Sequence, residues 1–200
     1  MNSFPQDPNS TRSSQHEALN AKPSTLYGIA LGSNLGDRLW HFQQAVAKLL
    51  QALPSAKITA AAPLYETDPV DCPEGSQSFY NTVLELKTDL EPLALLNALQ
   101  ALELSLGRSA VHGHNAPRTV DLDILYAGDA TMNHPDLILP HPRMMQRRFV
   151  LQPLADIRPD LVLPGQTHCI TGLLITLDSP EPPLRLVQKQ WLPSIASRPH

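Results

Sequence analysis

Thr119-Val120-Asp121-Leu122-Asp123-Ile124-Leu125-Tyr126 is the stretch that decides the fold. Apolar side chains alternate with carboxylates, the period-two pattern of a half-buried strand. Val120, Leu122, Ile124 and Tyr126 are expected to face a core, and Asp121 and Asp123 the other side. Upstream, Asp89 is the expected N-cap of a helix with Glu91 and Pro92 in its first turn, where proline is tolerated. Leu95, Leu99, Leu102 and Leu106 form its apolar stripe and Gly107 its stop, while Gln100 and Glu103, three residues apart, are expected to project from one side.

Farther back, Phe79 to Lys87 reads as a strand with Tyr80, Leu84 and Leu86 on one face and Phe79, Asn81 and Val83 on the other. Ile58 to Thr67 is a strand broken by Pro63. Leu39, Phe42, Val46, Leu49, Leu50 and Leu53 mark one helical face that ends at Pro54, and Leu26 to Leu31 is the first strand. The order is strand, helix, strand, strand, helix, strand. That is the ferredoxin-like βαββαβ plan, an α+β sandwich on an antiparallel sheet. Leu137 to Leu139 is expected to add a short strand, and Met144 to Phe149 a helical turn.

The ends look different. Residues 1–24 form a polar tail rich in Ser, Asn, Gln and Pro. Residues 178–200 are Pro-rich and are expected to wrap the surface without regular structure, with Trp191 docking. The domain itself is expected to occupy residues 25–177.

The chain of 200 residues carries 15 Lys plus Arg and 19 Asp plus Glu, for a formal net charge of -4. This balance argues against a general nucleic-acid binder. No apolar run approaches the ~20 residues that a membrane span needs. Cys72 and Cys169 are far apart and in no metal-like spacing, which fits a reducing cytoplasm. We expect a cytoplasmic monomer that acts on small molecules, with neither a nucleic-acid nor a membrane partner.

The strand Asp121-Leu122-Asp123 puts two carboxylates on one face, their Cα atoms roughly 6.5–7 Å apart. Such a pair repels itself unless a cation sits between, and Mg²⁺ suits oxygen ligands. Taken alone, the tripeptide also fits an edge strand with a solvated acidic face. Its neighbours shift the balance. Arg118 precedes the strand, His141 lies between Pro140 and Pro142, and Arg143, Arg147 and Arg148 follow; Gln100, Glu103 and Arg108 stand at the end of the second helix. Carboxylates, several arginines and a restrained histidine are what transfer of a phosphate group needs. No Gly-rich loop runs into Lys-Ser or Lys-Thr, so a P-loop is excluded, and there is no Gly-x-Ser-x-Gly nucleophile elbow. Gly32-Ser33-Asn34-Leu35-Gly36 fits either an anion site at a helix start or a plain strand-to-helix turn.

Leu31-Gly32-Ser33-Asn34-Leu35-Gly36-Asp37, Tyr65-Glu66-Thr67, Phe79-Tyr80-Asn81, Pro117-Arg118-Thr119-Val120-Asp121-Leu122-Asp123 and Pro140-His141-Pro142-Arg143, with Arg147 and Phe149, occur in this order. Together they resemble the 6-hydroxymethyl-7,8-dihydropterin pyrophosphokinase family, folate-pathway enzymes that move a diphosphate from ATP to a pterin alcohol. The resemblance spans about residues 26–165. It implies that Asp121 and Asp123 hold a pair of Mg²⁺ ions on ATP. Arg108 and Arg118 would contact the substrates as the diphosphate moves. His141 and Arg147 would bind the triphosphate, and Gln100, Glu103 and Ile124 would fix the nucleotide. Phe79 and Phe149 would sandwich the pterin, while Asn81, Thr67 and the backbone near Val70 would read its polar edge and Asp121 would reach it as well. Flexible loops, 68–76 and 109–116, would close over the site. The chain departs from the family pattern at Ala110, where a basic residue is frequent, at Asn115-Ala116, where Trp-Gly is frequent, and at Asp136. The competing reading is a non-catalytic ferredoxin-like module that binds nucleotide or RNA.

Overall fold

The computed structural model describes residues 23–69, 75, 77–107, 118–179, 181 and 183–193. Val70, Arg108, Ala110, Asn115 and residues 1–22 of the polar N-terminal tail lie outside these residues, as do most of both loops expected to close over the site. The elements run β1 (Thr25–Ser33), α1 (Arg38–Ala52), β2 (Lys57–Ala61), β3 (Leu64–Thr67), β4 (Phe79–Thr88), α2 (Pro92–Ser105), β5 (Asp121–Ala127), β6 (Met132–His134), β7 (Leu137–Leu139), α3 (Arg148–Ile157), α4 (Ile170–Thr176) and β8 (Arg185–Gln188). The main sheet has the order β5-β1-β4-β3-β8, with β2 beside β3 along β4, and every pairing is antiparallel. Counting β2 and β3 as one interrupted strand, its first four positions are those of the βαββαβ plan.

The central strands of the main sheet separate two packed layers. Tyr27, Ile29, Leu31, Leu84, Leu86, Leu122 and Ile124 face α1 and α2, where they meet Phe42, Leu49, Leu95 and Leu99. Val83, Leu125 and Tyr126 face the other way, onto Val150, Leu151, Leu154 and Ile170 of α3 and α4. Tyr126 was expected beside Leu122 and Ile124, but the β1–β5 register slips between Gly28 and Ile29. A slip of this kind turns the following residues to the opposite face. The Tyr126 ring then lies across Gly28, where an added Cβ would stand 2.1 Å from a ring carbon. Its hydroxyl donates to Glu85 (2.8 Å), whose carboxylate also meets Arg158 (3.3 Å).

Three local expectations change. Asp89 does not cap α2: it accepts from the Ser55 hydroxyl (2.9 Å), and the N-cap position falls to Glu91, whose side chain does not cap the helix N–H groups. The helical turn expected at Met144 to Phe149 is present as the 3₁₀ turn Met144–Gln146, but helices α3 and α4 follow it, where no element was expected. Pro153 inside α3 reads as a breaker, yet Val150, Leu151 and Leu154 are buried against the sheet, and burial outweighs the lost backbone bond. The C-terminal segment, expected to lack regular structure, forms a strand at Arg185–Gln188. Its strand β8 pairs with β3 at Leu64↔Gln188 and Glu66↔Arg185. Trp191 is 2% exposed and tilts onto Phe42 at 5.7 Å between ring centroids. The break at Pro63 explains the docking point. The Ala62 carbonyl accepts from the Thr82 hydroxyl (2.9 Å) and from the indole N–H of Trp191 (2.9 Å).

Candidate active site

The site is built on the α3 side of the sheet, near the ends of its middle strands. The register aligns Asp121 with Gly32, Gly32 with Asn81, and Asn81 with Tyr65, and the next row aligns Asp123 with Ala30 and Ala30 with Val83. Because β1 contributes glycine and alanine here, the floor between the carboxylates and Asn81 is low. A Cβ on Gly32 would lie 3.7 Å from Asn81 Oδ1 and 3.9 Å from the Asp121 Cβ, so both neighbours look into the space that the glycine leaves. Leu122 and Ile124 are buried in the opposite core, which fixes Asp121 and Asp123 on this side, both half-buried.

Guanidinium groups gather around the acid pair. Arg118 Nη1 donates to Asp121 Oδ2 at 2.7 Å. The Arg118 backbone is itself clamped, its N–H donating to Asn34 Oδ1 (2.9 Å) and its carbonyl accepting from the Asn34 N–H (3.2 Å). Thus the Gly32-Ser33-Asn34 motif delivers an open floor and an anchor for the arginine. At the start of α1 the Asp37 carboxylate accepts from the Trp40 N–H, so this segment serves as a strand-to-helix turn with its own acidic cap.

His141 follows the cis Leu139–Pro140 peptide, and its N–H donates to the Leu125 carbonyl (2.8 Å). This pins the ring beside the carboxylate strand. Burial pushes its pKa down, Asp123 opposes, and Arg147 and Arg143 act with burial. Arg147 leaves the short 3₁₀ turn Met144–Gln146 with its guanidinium 5.4 Å from the Phe149 ring centre. Burial lowers its pKa too, with Arg143 acting the same way, while Asp123, Asp121 and Glu181 raise it. His141, Arg118 and Arg147 therefore gather around the acid pair, with the exposed Arg143 beside His141 and Arg147. Arg148 turns away, donating its N–H to Glu181 (3.0 Å) and a guanidinium N–H to the Leu177 carbonyl (3.5 Å).

Across the floor, Asn81 Nδ2 donates to Thr67 Oγ1 (2.9 Å), and Thr67 pairs with Phe79. Phe149, at the start of α3, borders the same layer. The expected nucleotide residues divide. Glu103 is 4% exposed and its carboxylate accepts the Leu122 N–H (2.7 Å), between the two aspartates, whereas Gln100 is exposed. A three-residue step on a helix leaves a wide angular offset, enough to put one on the strand and one outside. The Ile124 side chain lies in the core, so only its backbone can reach a ligand. Asp136 is exposed in the β6–β7 turn, beside His134 (3.6 Å). Gly32 and Asn34 belong to the Gly-Ser-Asn motif of the sequence; the cross-strand register places Gly32 beneath the site, and the hydrogen bonds to Arg118 place Asn34 beside it.

No group of three or more His, Cys, Asp or Glu that suits a metal occurs among the described residues. A carboxylate pair alone does not cage a divalent ion. It does fit Mg²⁺, which keeps waters and takes substrate phosphate oxygens as its other ligands.

The profile of the family described as 7,8-dihydro-6-hydroxymethylpterin-pyrophosphokinase (HPPK) matches residues 28–159. The chain belongs to this pyrophosphokinase family. An HPPK of Pseudomonas aeruginosa, 2-amino-4-hydroxy-6-hydroxymethyldihydropteridine pyrophosphokinase, is 45% identical over 140 residues, which cover 70% of this chain and 85% of that protein. The Bacillus subtilis protein of the same name is 46% identical over 129 residues, 64% of this chain and 75% of its own length. A folic acid synthesis protein of Pneumocystis carinii is 42% identical over 147 residues, 74% of this chain but 19% of that longer protein. Among solved structures, Plasmodium falciparum HPPK-DHPS with pteroate aligns at a TM-score of 0.61 and 15% identity, over 78% of this chain and 45% of that one, a likeness of fold. Membership in HPPK makes the protein an ATP-dependent diphosphotransferase of folate biosynthesis and sets aside the non-catalytic module. No helix among the described residues is long and apolar enough to cross a membrane.

Proposed function

We propose that this site transfers the diphosphate of ATP to the hydroxymethyl oxygen of 6-hydroxymethyl-7,8-dihydropterin, with Asp121 and Asp123 on the phosphate side and Asn81 on the pterin side. The observation that carries the reading is the row Asp121–Gly32–Asn81, a low floor with acid and guanidinium groups on one flank and an amide on the other. In the reaction the alcohol oxygen bonds to the β-phosphorus, the bond from that phosphorus to the oxygen bridging to the α-phosphorus breaks, AMP leaves with the electron pair, and the alcohol proton passes to solvent.

The residues divide the work by charge. Arg118, Arg143 and Arg147 bind the polyphosphate and offset charge on the moving group, the main contribution when little covalent chemistry falls to the protein, and His141 binds it as a neutral ring N–H donor. Thr67, Asn81 and Asp121 read the polar edge of the pterin, and Phe79 and Phe149 cover its faces; Arg108 and the backbone near Val70, both outside the described residues, would serve the moving diphosphate and the pterin edge respectively. Gln100, Glu103 and the Ile124 backbone serve the nucleotide, Glu103 by holding the strand between the aspartates. Bound at Asp121 and Asp123, Mg²⁺ would supply charge neutralisation on the phosphate oxygens. A primary alcohol is a weak nucleophile, so alignment carries much of the rate. The low cysteine count and the absence of a long apolar run support a cytoplasmic enzyme, and we read it as a monomer.

The test is an assay with Mg·ATP and the pterin alcohol that resolves AMP from ADP. Pterin-dependent AMP is the expected product. ADP instead would mean transfer of a single phosphoryl group and would overturn the reading.

A further inference from the structure

The β3–β4 connection starts at Thr67 and ends at Phe79, the last pair in that ladder. Just beyond it, residues 68 and 78 have no partner in the β3–β4 ladder, and side chains on the opposite face of the sheet hold them instead. Glu66, turned away from Thr67 by the strand alternation, is the centre. One carboxylate oxygen, Oε1, accepts from the Ser78 hydroxyl and from Arg38 Nη1 (3.1 Å). Arg38 also donates to the Ser78 carbonyl (2.6 Å) and hydroxyl (2.8 Å), and its guanidinium lies 3.7 Å from the Tyr80 ring centre. The other oxygen, Oε2, accepts from Arg185 Nε and Nη2 at 3.4 Å each. Arg185 in turn grips Asp68 through both carboxylate oxygens, at 2.8 and 3.1 Å.

One carboxylate thus joins the outgoing end of the connection, through Arg185 and Asp68, to the incoming end, through Arg38 and Ser78. The Ser78 hydroxyl first, then Arg38 and Arg185, hold the Glu66 carboxyl below its usual range against the effect of burial. Arg185 comes from β8, which Trp191 anchors, so the C-terminal segment enters the geometry of the site. A hairpin needs no such cluster to pair its strands. What the cluster sets is the direction in which the chain leaves Thr67 and arrives at Phe79.

We propose that Arg38 and Arg185, meeting on Glu66, are positioning residues that fix Thr67 and Phe79 through their neighbours Asp68 and Ser78, and through them the affinity for pterin, without touching either substrate. This deepens the reading that Thr67, Phe79 and Asn81 face the pterin, and rests on it. The bidentate grip of a planar guanidinium on Asp68 is the directional part, and a lysine cannot reproduce it.

The test is steady-state kinetics on the full chain with Arg185→Ala, Arg185→Lys and Asp68→Ala. Arg185 and Asp68 are about half exposed (51% and 52%), so these variants keep the fold, as a thermal melt verifies. In Arg185→Ala the KM for pterin rises about fivefold, the worth of one well-formed ion pair, while the KM for ATP stays within about twofold. Asp68→Ala gives the same split, and the double variant adds little to either single one. Arg185→Lys falls between wild type and Arg185→Ala. An unchanged pterin KM in Arg185→Ala and Asp68→Ala, or equal changes for both substrates, overturns the clamp. A wild-type enzyme without pterin-dependent AMP release would instead overturn the underlying reading, so the two failures are distinct. Should Arg185→Ala lose its cooperative melt, Asp68→Ala, which leaves Arg185 bound to Glu66, decides the question.

Discussion

Gly32→Ala separates the site from the fold. A Cβ at this position meets nothing closer than 3.7 Å, an ordinary contact, and the glycine is in an extended strand. The substitution therefore introduces no clash. It removes unfolded-state freedom worth ~0.4–1 kcal/mol, so stability is expected to stay the same or rise slightly. Function responds in the opposite direction. A substrate lying on the floor between Asp121 and Asn81 must rise by about 1 Å or more over the new methyl, and a misplacement of ~1 Å costs on the order of 10²-fold in rate. That corresponds to ~2.7 kcal/mol of transition-state stabilisation. The assay is AMP release from Mg·ATP with the pterin alcohol, run beside a thermal melt. A Gly32→Ala enzyme with wild-type kcat and KM would show that no substrate rests there. A variant with a markedly lowered melting point would show that the space was structural.

Other consequences are as direct. Asp123→Asn keeps side-chain size but removes the charge, and turnover is expected to fall at least ~10²-fold with the far-ultraviolet spectrum unchanged; near-normal AMP formation at ordinary Mg²⁺ would remove Asp123 from the phosphate side. Trp191→Ala opens a cavity beside Phe42 and leaves the Ala62 carbonyl with one side-chain donor fewer, so a loss of ~3–5 kcal/mol in denaturant unfolding is expected; a value near zero would mean that the C-terminal segment is an appendage. His141 has a pKa below its ordinary value of 6.5, so its ring is neutral in the folded protein at pH 7. The unfolded chain takes up that proton first as pH falls, and His141 subtracts stability below about pH 6.5 until its folded pKa is reached. Nuclear magnetic resonance titration of the ring should give a midpoint below 6.5, and His141→Gln should lose stability less steeply on acidification; a raised midpoint contradicts the burial argument.

Much of the fold was legible in the sequence because burial period and element type are local properties. The alternation around Leu122 and Ile124 fixed the side on which both aspartates stand, and the leucine stripe of α2 fixed its buried face. Helix α3 was not legible, because Pro153 argues against a helix locally and only contact with the sheet and α4 overrides it. The Tyr126 face was misread for a similar reason: a register slip depends on the partner strand, and no single strand encodes it.

The site shows the same division. The types of its charged groups, and the order in which they occur, stand in the chain itself. Their convergence is a property of three strands laid side by side and of loops folded back on them, which brings His141 to Leu125 and Asn34 to Arg118 across long stretches of sequence. Gly32 became a floor only through its neighbours on both sides. The C-terminal segment, rich in proline and weak in periodicity, read as a tail because its strand has a partner only on β3 and its tryptophan a socket only where Pro63 interrupts the sheet edge. Local chemistry is set by side chains near in sequence, whereas pairing and concavity arise from contacts distant in sequence, and those exist only once the chain has folded.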